Sequence, residues 1–207
     1  MSVLTTRSRR VDYTESTRQA LVNSAIDLFT KRGYAATSLD AIVKRARVTK
    51  GALYHHFHGK QALFEAVFDQ VETSVVAELA TVVDGDGTPW DRAIAGVDAY
   101  VRVCLRPAYQ RIVVHEAPVV MGWERWREAE ERFSYGLVRQ SVVALVEAGE
   151  IEPLPVEVTA RILFGALTAG AEVIASAAEP KKAAAEVSKT IVTVLSGMRC
   201  HLADGGE

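Results

Sequence analysis

The sequence predicts an all-α fold, and three observations support this class. Apolar residues recur at helical spacing through nearly the whole chain, as at Leu21, Ala25 and Leu28. Nowhere do β-branched residues alternate with turn signals, as they do in strands. The 207 residues are 49% hydrophobic and 24% charged, which is typical of a folded globular protein rather than a disordered one.

The first 60 residues predict three short helices. The first is expected over about 16–32, behind a disordered N-terminal arm, because two basic residues and then Gly33 follow its apolar pattern. Thr37 is placed to cap the second helix, and Thr49 is placed to cap the third. Leu53 and Phe57 lie one turn apart on the third helix and are expected to face inward.

Six more helices are expected in the rest of the chain, which gives nine in total. A long apolar stripe follows Gly59 and ends before the loop at 84–89, the clearest loop signal in the chain. We therefore divide the chain into an N-terminal domain, 1–60, and a larger C-terminal domain, 61–207. The later helices are predicted at 60–83, at about 90–105, from 107 for a short stretch, and at about 119–148, 155–178 and 181–202.

Charge is distributed unevenly between the two parts. Residues 1–60 contain 11 Lys and Arg against 4 Asp and Glu, whereas the remainder contains 13 against 22. A basic N-terminal part on an acidic body favours a polyanionic partner for the first part only. A solvated basic surface without such a partner is the alternative for this feature alone.

Two short helices joined by a tight turn and braced by a first helix form a helix-turn-helix, whose second short helix fits the major groove of DNA. The exposed residues of that helix have suitable chemistry. Thr49 and the free amides of the helix start can donate to a phosphate, and Lys50 adds charge. Tyr54 and His55 carry donors on rigid rings, and Ala52 can contact a thymine methyl group.

The run Gly33-Tyr34-Ala35-Ala36-Thr37-Ser38, followed by residues 48–57 and Lys60, resembles the DNA-binding domain of the tetracycline-repressor (TetR) family. The resemblance covers about 16–68. It implies an Ω-shaped dimer of nine-helix chains, in which the last two helices form the dimer interface and the body holds a ligand pocket. Matched position by position, it places the DNA contacts at Thr37, Ser38, Thr49, Lys50, Gly51, Ala52, Tyr54, His55 and Lys60.

Two alternatives apply to residues of this region. Thr37 and Thr49 can serve as helix caps only, without a phosphate contact. The three histidines at 55, 56 and 58 suggest a metal, but no Cys or carboxylate accompanies them at ligand spacing, so no metal and no cofactor are predicted.

Aromatic residues are concentrated in the body, and sites for small molecules in helical bundles are apolar cavities with a few polar groups. For each residue alone, packing in the core is the alternative. The residues predicted to line a ligand pocket are Phe68, Tyr100, Met121, Trp123, Trp126 and Phe164.

Small residues at 165–175 indicate close packing of another helix, because Gly165 and Gly170 would destabilise an exposed helix by about 1 kcal/mol each. With the apolar residues of the final helix, they predict a four-helix dimer interface. Packing within one chain is the alternative.

These features predict a cytoplasmic homodimeric transcriptional regulator that binds a palindromic operator and is released by a small apolar effector. The resemblance to the TetR family implies that it is a repressor. A ligand-independent DNA-binding protein, or an activator, is the main alternative. An enzyme is not favoured, since the chain has no zinc-protease motif, phosphate-binding glycine loop or nucleophile elbow. No membrane partner is predicted, because no run of about 20 apolar residues occurs.

Overall fold

The computed structural model describes the backbone of residues 4–199 and the side chains of 14–129 and 131–199. This part of the chain forms nine helices and no strand; a single antiparallel bridge joins Ile151 to Arg199. The all-α prediction is confirmed. The helices are α1 (Leu4–Arg32), α2 (Leu39–Ala46), α3 (Lys50–His56), α4 (Lys60–Val83), α5 (Pro89–Cys104), α6 (109–121), α7 (123–147), α8 (Val156–Ser176) and α9 (Pro180–Ser196).

Helices α1–α3, here called the head, begin and end partly as predicted. The arm expected to be disordered is helical from Leu4 onward, and residues 1–3 lie outside the described part of the chain. Ser38, not Thr37, caps α2, because its hydroxyl accepts a hydrogen bond from the Ala41 amide at 3.2 Å. The predicted cap of α3 is confirmed, since the Thr49 hydroxyl accepts from the Ala52 amide at 3.2 Å.

Helices α4–α9, here called the body, include two with π-helical turns. Tyr109–Glu116 begins α6 in this form, and Glu131–Tyr135 interrupts α7. The sequence predicted one helix over 119–148, but α6 and α7 separate at Gly122, whose φ of 85° favours glycine. Pro118 lies in the first turn of the α-helical part of α6, where a missing amide proton is tolerated.

One large apolar core runs from the head into the body, and α4 contributes to it along most of its length. Phe64 of α4 packs against Phe29 of α1 with ring centroids 5.4 Å apart. Further along α4, Phe68 meets Phe133 of α7 at 6.3 Å. One helix therefore packs in both the head and the body.

Helix α8 is long and apolar enough to cross a membrane by length and composition alone, with a mean hydropathy of 1.5. It packs against α7 and α9 on one side, so it also fits a bundle helix. Gly170 faces α9, and a Cβ atom there would lie 2.7 Å from Val187 Cγ1. The close approach at Gly170 is therefore within the chain, whereas nothing lies within 4 Å of a Cβ at Gly165.

Candidate DNA-binding face and body cavity

One side of α3 is exposed and polar, while its other side enters the core through Leu53. This split follows from helical periodicity, because Leu53 points inward and the residues around it point out. Tyr54 is 51% exposed although it is a large aromatic residue. The exposed or half-buried residues of this surface, here called the recognition face, are Thr49, Lys50, Gly51, Ala52, Tyr54 and His55.

Lys50 of the recognition face is paired with a carboxylate of α2. Its Nζ lies 2.9 Å from Asp40 Oδ1, and both side chains are more than half exposed. The hydrogen bond that Lys50 donates to Asp40 raises the pKa of Lys50, so the side chain stays cationic. An anion that binds Lys50 has to compete with this carboxylate.

Three further predicted DNA contacts lie at the edge of the recognition face. Ser38 is exposed at the start of α2. Thr37 is 1% exposed and its hydroxyl donates to the Gly33 carbonyl at 2.7 Å, so the prediction that this hydroxyl binds a phosphate is corrected. Lys60 is half-buried; its Nζ lies 4.2 Å from the Tyr34 ring centroid and donates to the Ala35 carbonyl at 3.4 Å.

The body contains a cavity of about 870 Å³, counted together with its opening to solvent, to which all six body helices contribute. Its lining is largely apolar. The apolar part includes Leu79, Val97, Val142, Leu145, Phe164 and Leu195.

The residues predicted from the sequence to line a pocket divide into two groups. Tyr100 and Phe164 lie at the cavity wall, whereas the other four do not. Phe68 is buried in the core against Phe133. Trp126 is also buried, and its ring lies 4.8 Å from that of Trp123, which is 60% exposed. Met121 is half-buried beside the break between α6 and α7.

The cavity wall carries hydroxyl groups. The phenolic oxygens of Tyr100 and Tyr109 lie 3.5 Å apart there. Ser134, from the π-helical turn of α7, lines the same cavity, and its hydroxyl donates to Glu72 Oε2 at 3.2 Å. Glu72 is 1% exposed, and burial raises its pKa to about 7, although the hydrogen bond from Ser134 opposes the shift.

A carboxylate of α6 connects the body to the head. Both oxygens of Glu116 accept hydrogen bonds from the Tyr34 amide, at 2.8 and 2.9 Å, and Arg111 Nε lies 3.2 Å from Oε1. Tyr34 belongs to the turn between α1 and α2. Since Tyr109 of the same helix lines the cavity, α6 is in contact with the cavity at one end and with the head at the other.

Four of these residues were missed as site residues by the sequence reasoning: Glu72, Tyr109, Glu116 and Ser134. A signal existed for Glu72, because it lies four residues after Phe68 and three before Val75, on the apolar stripe of α4. A charged residue on such a stripe indicates a buried polar group. No comparable signal marked the other three. Tyr109 and Ser134 lie in the π-helical turns, and the partners of Ser134 and Glu116 are 62 and 82 residues away in the sequence.

Comparison with known proteins agrees with this architecture. Residues 21–67 match the family model of bacterial regulatory proteins of the tetR family, and 90–198 match that of the tetracyclin repressor-like C-terminal domain. The transposon Tn10 TetC protein of Escherichia coli is 30% identical over 151 residues, which cover 73% of this chain and 76% of TetC.

Two other similarities cover different extents of the chain. The A-factor receptor protein of Streptomyces griseus is 38% identical over 74 residues, 33% of this chain and 27% of the receptor. The crystal structure of a TetR-family transcriptional regulator from Pectobacterium atrosepticum is 27% identical and superposes with a TM-score of 0.83, covering 92% of this chain and 97% of the other.

A helix-turn-helix head with an exposed recognition face, joined to a helical body with a cavity, defines the class of helix-turn-helix transcriptional regulators. Within that class, the chain belongs to the TetR family. It is thus a DNA-binding regulator of transcription, in a family whose members typically bind operators as dimers and respond to small-molecule effectors.

Proposed function

We propose that this protein is a repressor that binds a palindromic operator as a homodimer and leaves it when a small, largely apolar molecule enters the body cavity. The observation that carries the proposal is the continuity of α4. This helix begins at Lys60, next to the head, and ends at the cavity wall with Leu79 and Val83. A rigid element shared by two sites can couple them when each ligand prefers a different position of it.

On the DNA side, α3 lies in the major groove with the recognition face toward the bases. Tyr54 and His55 contact base edges, and Thr49, at the positive end of the helix, donates to a phosphate. Lys50 exchanges Asp40 for a phosphate oxygen. Ser38 and the helix start of α2 contact the backbone of the same half-site.

The dimer forms through α8 and α9. Val158, Ile162 and Val173 of α8 are 58%, 65% and 55% exposed, and Val194 of α9 is 51% exposed. They recur at helical spacing along one side of α8, where the open position at Gly165 leaves room for close approach of a second helix. A contiguous exposed apolar surface of this kind favours a protein interface.

The effector releases the protein from the operator through two connections between the cavity and the head. An occupied cavity displaces α4 at Leu79 and Val83, and it displaces α6 at Tyr109. The second displacement reaches the head through the hydrogen bonds between Glu116 and the Tyr34 amide. Two heads that match half-sites about 34 Å apart no longer do so after a shift of a few ångströms.

The cavity favours this function over a ligand-independent DNA-binding protein, for which a filled body would suffice. The experiment has two steps. An operator is first selected from a random duplex library with the full-length protein, and apolar compounds are screened for thermal stabilisation, since a ligand at 100 times its Kd adds about 2.7 kcal/mol. Operator affinity is then measured with and without each hit.

We expect a bound effector to weaken operator binding by about 5- to 150-fold, and the operator to weaken effector binding by the same factor. Calorimetric titrations of the effector, with and without operator, measure the second quantity. Equal effector affinities in the two titrations would refute control of the head by the cavity.

A further inference from the structure

When Glu72 is ionised, the Ser134 hydroxyl in the cavity wall has a defined hydrogen-bonding direction. The Ser134 hydroxyl donates its only proton to Glu72 Oε2, at 3.2 Å. A hydroxyl that donates in one direction still has lone pairs for accepting in others. Toward the cavity, which Ser134 lines, this oxygen is therefore an acceptor, and a matching ligand group has to be a donor.

Behind Ser134 lies a carboxyl group that lacks a full set of partners. Glu72 is 1% exposed, and its Oε1 has no hydrogen-bond partner among the residues that the structure describes. Ionisation of such a group is unfavourable because no nearby cation replaces the lost hydration. Its pKa of about 7 means that the ionised form predominates at pH 8. A cation placed next to Ser134 would stabilise that form.

The cavity wall supplies no competing cation. None of the described residues that line it is a lysine, arginine or histidine, and its polar groups are hydroxyls. A ligand carboxylate or phosphate would be buried near another anion, with no positive partner. The wall therefore discriminates against anionic ligands and favours cationic ones.

We propose that the effector of this cavity is an amphiphilic amine, an inference that rests on the proposed effector function. Its ammonium group donates to Ser134 Oγ, and the Glu72 carboxylate behind the serine is its counter-ion. Its apolar part lies along Leu79, Val97 and Val142 of the cavity wall. Ser134 and Glu72 set the charge specificity, and the apolar wall sets the size.

The test compares three probes of one chain length and different charge: octylamine, octan-1-ol and octanoate. Each is titrated calorimetrically into the full-length protein at pH 8. We expect octylamine to bind at least about tenfold more tightly than octanol. The reason is that its ammonium group is charged, and a hydrogen bond from a charged donor is stronger than one from a hydroxyl. Octanoate should bind most weakly. In Glu72→Gln the preference for octylamine over octanol should disappear while octanol affinity stays within about twofold.

Glu72→Gln removes a buried charge and keeps the side-chain shape, and a melting curve checks that it folds. Ser134→Ala is a second variant, which should also lose the preference for the amine. Glu78→Gln is the matched control, because Glu78 lies on the same helix but is exposed and paired with Arg106 at 2.5 Å. It should leave all three affinities unchanged.

The inference is overturned if octylamine does not bind, if it binds no better than octanol, or if Glu72→Gln and Ser134→Ala keep the preference. Operator release separates this result from the proposed function. If octylamine binds through Glu72 and operator affinity does not change, the effector function fails and the charge specificity stands. If octanol releases the operator and octylamine binds no better than octanol, the effector function stands and the charge specificity fails.

Discussion

The recognition face in the head and the cavity in the body are built in opposite ways. The face is a convex surface made by residues 49–55 of one short helix, with its side chains exposed. The cavity is concave, takes residues from six helices, and has the buried carboxyl group of Glu72 behind one of its lining residues, Ser134. A site formed by consecutive residues depends on local helix geometry alone, whereas a cavity depends on how distant helices pack. Changes to the two should therefore have different kinds of effect.

The largest expected effect concerns the proposed dimer interface on α8, because a palindromic operator is bound by two heads at once. Ile162→Arg places a charge at the centre of the exposed apolar side of α8, and an unpaired charge buried in an interface costs about 3–5 kcal/mol. We expect sedimentation to show monomers at micromolar concentration and operator binding to fall at least a hundredfold. Val119→Arg is the control, since Val119 is 84% exposed on α6. If the Ile162 variant is dimeric, α8 is not the interface.

The second prediction is that the buried Glu72 carboxyl destabilises the folded protein as pH rises. Glu72 has a pKa of about 7 in the folded protein against 4.5 without burial, so the folded state holds a proton that the unfolded state has released. The free energy of unfolding therefore falls as pH rises from about 4.5 to about 7. Glu72→Gln should thus be more stable than the parent by on the order of 3 kcal/mol at pH 8, and by much less at pH 5.

Urea denaturation at both pH values, at one protein concentration, measures this difference. Glu78→Gln should show no such gain at pH 8, because its partner Arg106 lowers the pKa of the exposed Glu78 carboxyl. A Glu72 variant with equal gains at pH 5 and pH 8 would mean that packing, not charge, sets the effect.

The third prediction is that changes to the recognition face alter DNA binding and leave stability unchanged. Tyr54→Ala should weaken operator binding by about 1–3 kcal/mol if the ring contacts a base. Lys50→Ala should weaken binding to all sequences and reduce the salt dependence by about one unit. Lys31→Ala is the control, since Lys31 is exposed in the head but pairs with Asp27 at 2.7 Å, away from α3. If Tyr54→Ala and Lys50→Ala both bind the operator as the parent does, the proposed docking of α3 in the major groove is wrong.

The smallest predicted effect lies between the two sites. Glu116→Gln keeps the shape of the side chain but weakens its hydrogen bonds to the Tyr34 amide and removes the charge facing Arg111. Coupling between an effector and the operator should fall by about 0.5–2 kcal/mol, while each ligand alone binds with unchanged affinity. Calorimetric titration of a confirmed effector, with and without operator, measures it. Unchanged coupling would leave α4 as the sole connection.

The same contrast explains which parts were predictable from the sequence. Helix spacing and caps are local, so the number of helices, the Thr49 cap and the exposed side of α3 followed from the residues themselves. The pocket residues did not, because aromatic residues at helical spacing face either a cavity or the core. Phe68 and Phe164 look alike in the sequence, yet only Phe164 lines the cavity. The π-helical turn that places Ser134 has no local signature.

The ion pair between Lys50 and Asp40 has a consequence for how the protein finds its operator. Any phosphate that binds Lys50 must first displace the carboxylate 2.9 Å away, at random DNA and at the operator alike. On random DNA no base contact compensates for the loss of the ion pair between Lys50 and Asp40, since non-specific binding is almost wholly electrostatic. At an operator, base contacts formed at the same time offset it. Under the proposed docking, Asp40 therefore shortens the time that the protein spends on non-specific DNA, where no base contact offsets its competition for Lys50.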